Sequence, residues 1–192
     1  KRRTMDKYRS LREQVTGCKG VVFDLDGTLV DLNVDWNELK KKLAELTKKQ
    51  TGEDIEYTPL DKKIYQAKER FGQSFFSQLL ELISQFELHE EKYVLNHELI
   101  SLFEGLRDKK VAIYSMNTGK CVRNFVEKYL KRNPDNIVSK DDCLEPKPSD
   151  KDLKKILDEW GFAPQEVLYI GNSENDRLSG EKVGIETLII TM

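Results

Sequence analysis

Two carboxylates, Asp24 and Asp26, follow directly on the apolar run Val21-Val22-Phe23, in the stretch Asp24-Leu25-Asp26-Gly27-Thr28-Leu29. Successive side chains of an extended chain point to opposite sides, so the two acids share one side and Leu25 takes the other. A carboxylate placed there can attack phosphorus or carbon, a second can carry a proton, and both can hold a hard divalent cation that offsets the charge of a phosphate. The same residues also describe a plain strand running into an Asp-Gly turn. The difference lies in what else reaches the same place.

Three other segments end in reactive polar groups. Val111-Ala112-Ile113-Tyr114 leads to Ser115, and Val167-Leu168-Tyr169-Ile170 leads to Gly171-Asn172-Ser173-Glu174-Asn175-Asp176. Lys147 sits in Glu145-Pro146-Lys147-Pro148, where the flanking prolines restrict the backbone that carries the amine. Singly, Ser115 reads as a turn hydroxyl, Lys147 as a surface charge, and Asn172 with Asp176 as a helix entry. In an open parallel sheet, ligands bind beyond the carboxyl ends of the strands, so the joint occurrence of these groups at strand ends points to one site.

The elements that must position them alternate. Strand patterns cover Val21 to Leu25, Val111 to Tyr114, Ile137 to Val138, Val167 to Ile170 and Thr187 to Ile190. Between them, Lys120 to Arg132 and Asp150 to Trp160 carry apolar residues at helical spacing, the second capped by Ser149 and stopped by Gly161 and Pro164. Strand, helix and strand in repetition predict a parallel sheet covered by helices. From about Asp35 to Arg107 only helices are expected: Asp35 to Thr47, Pro59 to Phe71, Phe75 to Phe86, and Glu90 to Arg107. That is too long for a plain crossover. The fold class expected is therefore α/β, a Rossmann-like parallel sheet flanked by helices with a small all-helical cap inserted at 32–95. The core comprises 19–31 and 96–192, and 1–18 forms an N-terminal extension. Phe71, Phe75, Phe76 and Phe86 fall at helical spacing and read as the core of the inserted lobe.

Composition narrows the classes further. The 192 residues are 38% hydrophobic and 34% charged, with a net charge of -2 and a pI near 5.9, so no global basic field argues for nucleic acid. No apolar run approaches the roughly 18 residues of a membrane span and no signal-peptide pattern opens the chain, which makes a cytoplasmic location the expectation. Cys18, Cys121 and Cys143 are widely spaced and read as buried free thiols. His89 and His97 lack partners at metal-ligand spacing and read as surface residues. The basic start, Lys1 to Arg12, reads as a solvated helix.

With these residues in order, the chain from about Lys19 to Ile190 resembles the haloacid dehalogenase-like hydrolases, and the insertion after the first motif resembles the helical cap of their phosphoglycolate phosphatase and phosphoglucomutase branch. The resemblance implies a phosphatase of small phosphorylated metabolites. Asp24 is then the nucleophile that forms an aspartyl-phosphate, and Asp26 the acid that protonates the leaving group and afterwards activates water. Lys147 is the third catalytic group. Thr28, Ser115, Met116 and Lys147 would face the phosphoryl group, and Mg2+ would be held by Asp24, the Asp26 carbonyl, Asn172 and Asp176. An acid at position 26 argues against dehalogenation, because a halide leaves without a proton whereas an alkoxide needs one.

Two residues depart from the family's pattern. Asn172 stands where an acid is usual, which removes one negative charge from the metal site, and Met116 stands where an Asn is frequent. A phosphomutase usually has Glu-Asp in the fourth motif, which Gly-Asn-Ser-Glu-Asn-Asp does not reproduce. A phosphate-binding or regulatory protein of the same fold is the alternative that Asn172 motivates. Lys68, Arg70, Gln73 and Ser74 around Gly72 are the lobe's candidate substrate contacts, and each also reads as solvated.

Overall fold

The computed structural model describes residues 11–192. Its centre is a five-stranded parallel sheet of β1 (Gly20–Phe23), β4 (Lys110–Tyr114), β5 (Asn136–Val138), β6 (Val167–Gly171) and β7 (Glu186–Ile189), in the order β5-β4-β1-β6-β7. β1 is central because it is apolar on both faces. Val21 and Phe23 join one core with Val111, Ile113, Leu168 and Ile170, while Val22 joins a second with Ala112, Tyr114, Val167 and Tyr169. A strand buried on both faces leaves no polar position until the chain passes the sheet edge, and Asp24 is that first position.

Helices cover both faces. α3 (His97–Gly105) and α4 (Gly119–Tyr129) pack on the first core through Leu99, Phe103, Val122 and Phe125. α5 (Lys151–Trp160) packs on the second through Leu153, Ile156 and Leu157. Asp150 precedes α5, and Ser149 Oγ accepts from the Lys151 backbone, so the expected hydroxyl does serve the helix entry. α6 (Glu174–Val183) lies between β6 and β7.

The insertion begins with α1 (Trp36–Thr51), capped by the Asp35 carboxylate, and continues with α2 (Leu60–Glu87). Gly72 interrupts α2 with φ 84°, a left-handed value that glycine adopts without steric cost, and so splits the run as expected. The lobe has its own core of Leu39, Leu43, Ile64, Leu79 and Ile83, which includes Phe75 and Phe76 and is flanked by Phe71 and Phe86. The expectation of helices alone up to Arg107 needs correction. β2 (Val30–Asp31) pairs antiparallel with β3 (Val94–Leu95), and a short 3-10 turn precedes β3, so the supposed helix from Glu90 starts only at His97. These two-residue strands carry the chain out to the lobe and back. Asn33 Nδ2 donates to the Lys92 carbonyl and Asn96 Nδ2 to the Thr28 carbonyl, which ties the two passages together.

The reading of Lys1 to Arg12 lies outside the described residues up to position 10. Leu11 and Val15 are buried in the first core, so the end of the expected extension belongs to the core. Cys121 and Cys143 are buried and Cys18 is half-buried, all three as free thiols; His89 and His97 are exposed. Among the described residues no helix is long and apolar enough to cross a membrane.

Candidate active site

β1 and β6 are neighbours whose outgoing loops lead to opposite sides of the sheet, which opens a crevice beyond their carboxyl ends. A cavity of about 390 Å³ occupies it. Asp24, Asp26, Met116, Lys147, Asn172 and Asp176 line it from the core, and Trp36, Lys40, Leu60 and Asp61 from the lobe.

Lys147 crosses the floor. Its Nζ donates to Asp24 Oδ1 at 2.8 Å, to Asp176 Oδ1 at 2.7 Å and to the Tyr114 carbonyl at 2.8 Å, so all three protons are placed. The rings of Tyr114 and Tyr169 stand 4.5 Å and 5.5 Å from the ammonium. Burial alone would lower the lysine's proton affinity, but the two carboxylates outweigh it and raise the pKa above its ordinary value. The amine is a fixed cation.

The two carboxylates it joins differ. Burial raises the pKa of Asp24, and Asp176 adds to this while Lys147 opposes it. Among the described residues, its Oδ2 accepts from the Thr28 hydroxyl alone, at 3.1 Å. Asp176 is also penalised by burial, yet Lys147 and the hydrogen bonds from Ser173 and Tyr169 carry its pKa below the usual carboxylate range. Its oxygens accept from Lys147, the Tyr169 hydroxyl at 2.5 Å, the Asn172 and Ser173 backbone N–H groups, and Ser173 Oγ at 2.6 Å. Ser173 and Asp176 form the capping box of α6, so a common helix-entry device also orients this acid. Asp176, expected at the metal, is turned inward as the counter-ion of Lys147 and has five donors on its two oxygens.

Asp26 is half-buried, and its Oδ1 accepts from the Leu32 backbone at 2.9 Å. Burial is the main reason that its pKa rises to about 6. Gly27 turns the chain with φ 78°, and a Cβ there would stand 1.9 Å from Asn172 Nδ2, so the Asn172 side chain lies against the turn that carries the two acids. Thr28 and Ser115 are fully buried beneath the cavity rather than lining it. Ser115 Oγ donates to Asn117 Oδ1 at 2.7 Å, and Met116 reaches the cavity edge, its sulfur accepting from the Lys147 backbone at 3.3 Å.

A family model for the haloacid dehalogenase-like hydrolases matches residues 21–190. The chain belongs to that family. Its curated relatives include pyrophosphatase PpaX of Bacillus cereus (strain AH820), 26% identical over 180 residues, which span 89% of this chain and 82% of the relative. PpaX of Bacillus velezensis is 25% identical over 87% of this chain and 80% of its own length. Among solved structures, a predicted phosphoglycolate phosphatase from Haemophilus somnus 129pt superposes with a TM-score of 0.60 at 17% identity, covering 90% of this chain and 85% of the other. CbbY from Rhodobacter sphaeroides, solved with phosphate, gives 0.60 at 17% identity over 91% and 87%. At these identities the two structures establish the fold.

Two buried charged residues, one lining the cavity and one holding Asn117 behind it, escape sequence reasoning. Glu87, the last residue of α2, is fully buried, and its carboxylate accepts from Asn117 Nδ2, the Thr118 N–H and the Thr118 hydroxyl. Its pKa is raised by burial, against the pull of Lys140 and of these donors. An acid in the last turn of a helix opposes the helix dipole, which is the signal that marks it as doing something other than solvating a surface. Lys140 is concealed in the charged run Ser139-Lys140-Asp141-Asp142 and yet lines the cavity, 1% exposed. Of the lobe's expected contacts, Arg70 pairs with Glu53 at 2.6 Å and Lys68 lies over the ring of Phe76; neither they nor Gln73 and Ser74 line the cavity.

Proposed function

We propose that the protein is a magnesium-dependent phosphatase of a small phosphorylated metabolite, acting through a phospho-aspartate on Asp24. The observation that carries this reading is the contact of the buried Asp24 carboxylate with the Lys147 ammonium at the cavity floor. The phosphatase names of the relatives agree with it.

The donor set fits magnesium in a specific way. Among the described residues no three His, Cys, Asp or Glu side chains converge as a metal cage, and Asp176 is consumed by its donors. Magnesium commonly binds through one or two carboxylates and completes its shell with water and substrate phosphate oxygens. Asp24, the Asp26 carbonyl and the Asn172 amide oxygen would hold it. When bound, it would offset the charge that a phosphate brings to Asp24.

The remaining steps belong to the protein. Asp24 attacks phosphorus, an O–P bond forms to its carboxylate, and the bond to the leaving oxygen breaks. Lys147 keeps charge from accumulating on the acids. Asp26, with a pKa of about 6 and its orientation fixed by the Leu32 N–H, delivers its proton to the leaving oxygen. Its carboxylate then takes a proton from water as that water attacks the phospho-aspartate, which returns Asp24 and releases phosphate. The lobe, residues 32–95, closes over the crevice and excludes water during transfer.

Release of phosphate from an aryl phosphate with magnesium, lost with EDTA and absent in Asp24→Asn, tests this reading. The phosphate-binding alternative, which Asn172 favours, predicts binding without release in both forms. Conversion of one sugar phosphate isomer to another without net release would identify a mutase.

A further inference from the structure

Two lysines are buried in the cavity wall and their surroundings differ. Lys147 has each of its protons committed within the site. Lys140, in the loop after β5, donates from Nζ to Asp61 Oδ1 at 2.5 Å, and among the described residues Asp61 is the one carboxylate at ion-pair distance from it. An ammonium has three protons to place; Asp61 takes one by a direct contact, while the buried Glu87 carboxylate acts on Lys140 only through its field, which leaves room on the ammonium for a further anionic partner. The backbone of Lys140 is held at both ends of the residue, its N–H donating to the Asn117 carbonyl at 2.8 Å and its carbonyl accepting the Tyr65 hydroxyl at 2.6 Å. The stem of this cation therefore starts from a fixed point.

Asp61 is different in kind. It sits in the first turn of α2, on the lobe, and its side chain is 28% exposed where that of Lys140 is 2% exposed. The cation is part of the site and its anion is brought by the lobe.

We propose that Lys140 holds a second anionic group of the substrate, a phosphate or a carboxylate, and that Asp61 competes with that group for the same ammonium. This assignment rests on the phosphatase reading, because the first anionic group is the phosphoryl group facing Asp24. Lys140 then selects substrates with negative charge on both sides of the scissile bond, and the lobe releases Lys140 as the second group arrives.

The test uses phosphonates, which cannot be hydrolysed. Methylphosphonate carries one anionic group, methylenediphosphonate adds a second phosphonate, and phosphonoacetate adds a carboxylate. Calorimetry with each, in the presence of magnesium, is expected to show at least one doubly anionic ligand bound ten-fold or more tightly than methylphosphonate. Which one is preferred distinguishes a phosphate from a carboxylate as the second group. Lys140→Met should abolish the preference, Lys140→Arg should keep it, and Asp61→Asn should enlarge it. A preference unchanged in Lys140→Met would overturn the proposal. So would a loss of preference in Asp61→Asn, since a pair that merely latches the lobe suffers alike from either substitution. If Lys140→Met does not fold, a preference kept in Lys140→Arg and enlarged in Asp61→Asn supports the proposal, and a preference lost in Asp61→Asn overturns it. Wild type that binds methylphosphonate without preferring either larger ligand contradicts this inference alone, whereas wild type that binds none of the three contradicts the phosphatase reading as well.

Discussion

The Lys147 ammonium lies 2.8 Å from the Asp24 carboxylate, across 123 positions of sequence. The parallel sheet makes the meeting possible: β1 delivers Asp24 at its carboxyl end, β4 contributes the Tyr114 carbonyl beside it, and β6 contributes the loop that holds Asp176 on the other side of the amine.

Asp176 should be a stability residue as much as a functional one. Asp176→Asn leaves Lys147 with one carboxylate in place of two, and breaking a buried pair typically destabilises by about 3–5 kcal/mol. The retained amide oxygen keeps some of the donors, so the lower end, about 3 kcal/mol, is expected in urea unfolding. A loss near zero would mean that the ion pair contributes nothing beyond its hydrogen bonds.

Asn172→Asp should strengthen magnesium binding. A carboxylate supplies a full charge where an amide supplies a dipole, a difference on the order of 1–3 kcal/mol even in a screened site. The magnesium concentration for half-maximal activity should fall by roughly ten-fold or more, since each 1.4 kcal/mol is a factor of ten. Calorimetry on both forms at one pH and salt reads the affinity directly. An unchanged affinity would place Asn172 outside the ligand set.

Gly27→Ala tests the packing of the turn on Asn172. The position has φ 78° and an added Cβ would meet Asn172 Nδ2, so strain and displacement act together. A residue held in so sparsely populated a conformation costs of order 1–3 kcal/mol. Both a lower unfolding midpoint and a weaker response to magnesium are expected; a stability loss with an unaltered magnesium response would separate the turn from the metal site.

Glu87 gives a pH signature with a definite sign. Its pKa is raised on folding, so between the unfolded and folded values the native state binds more protons, and stability falls as pH rises through that window. Glu87→Gln has no carboxyl group to titrate there. Measured by urea unfolding from about pH 4 to pH 8, the variant should gain on wild type as pH rises, by about 1.4 kcal/mol for each pH unit inside the window. A constant difference would show that Glu87 titrates alike in both states.

Legibility in the sequence follows physical scale. The three inner strands β4, β1 and β6, the split at Gly72 and the lobe's aromatic core were readable because burial on two faces, a glycine and a helix period each leave a local pattern, and the shorter edge strands β5 and β7 followed from their place in the strand-helix alternation. β2 and β3 were not, since a two-residue strand has no period, and their pairing joins residues far apart in the chain, Val30 and Leu95 among them. At the site, Asp24, Asp26 and Lys147 could be picked out by strand-end position and flanking prolines. The direction in which Asp176 points could not, because the capping box that turns it inward and the lysine that receives it come from different parts of the chain. Lys140 and Glu87 are charged residues in charged or helical surroundings. Only the docking of the lobe onto the loops after β4 and β5 buries them.

The central claim is that Asp24 carries the phosphoryl group, and trapping it is the most direct measurement. Wild-type protein mixed with a reactive phosphate monoester and magnesium, quenched in acid within a single turnover and mapped by mass spectrometry, should show one phosphoryl group on the peptide containing Asp24. Asp24→Asn treated in the same way should show none and should release no phosphate. Phosphate released by the wild type with no phosphoryl group on that peptide, or release retained in Asp24→Asn, would contradict the account.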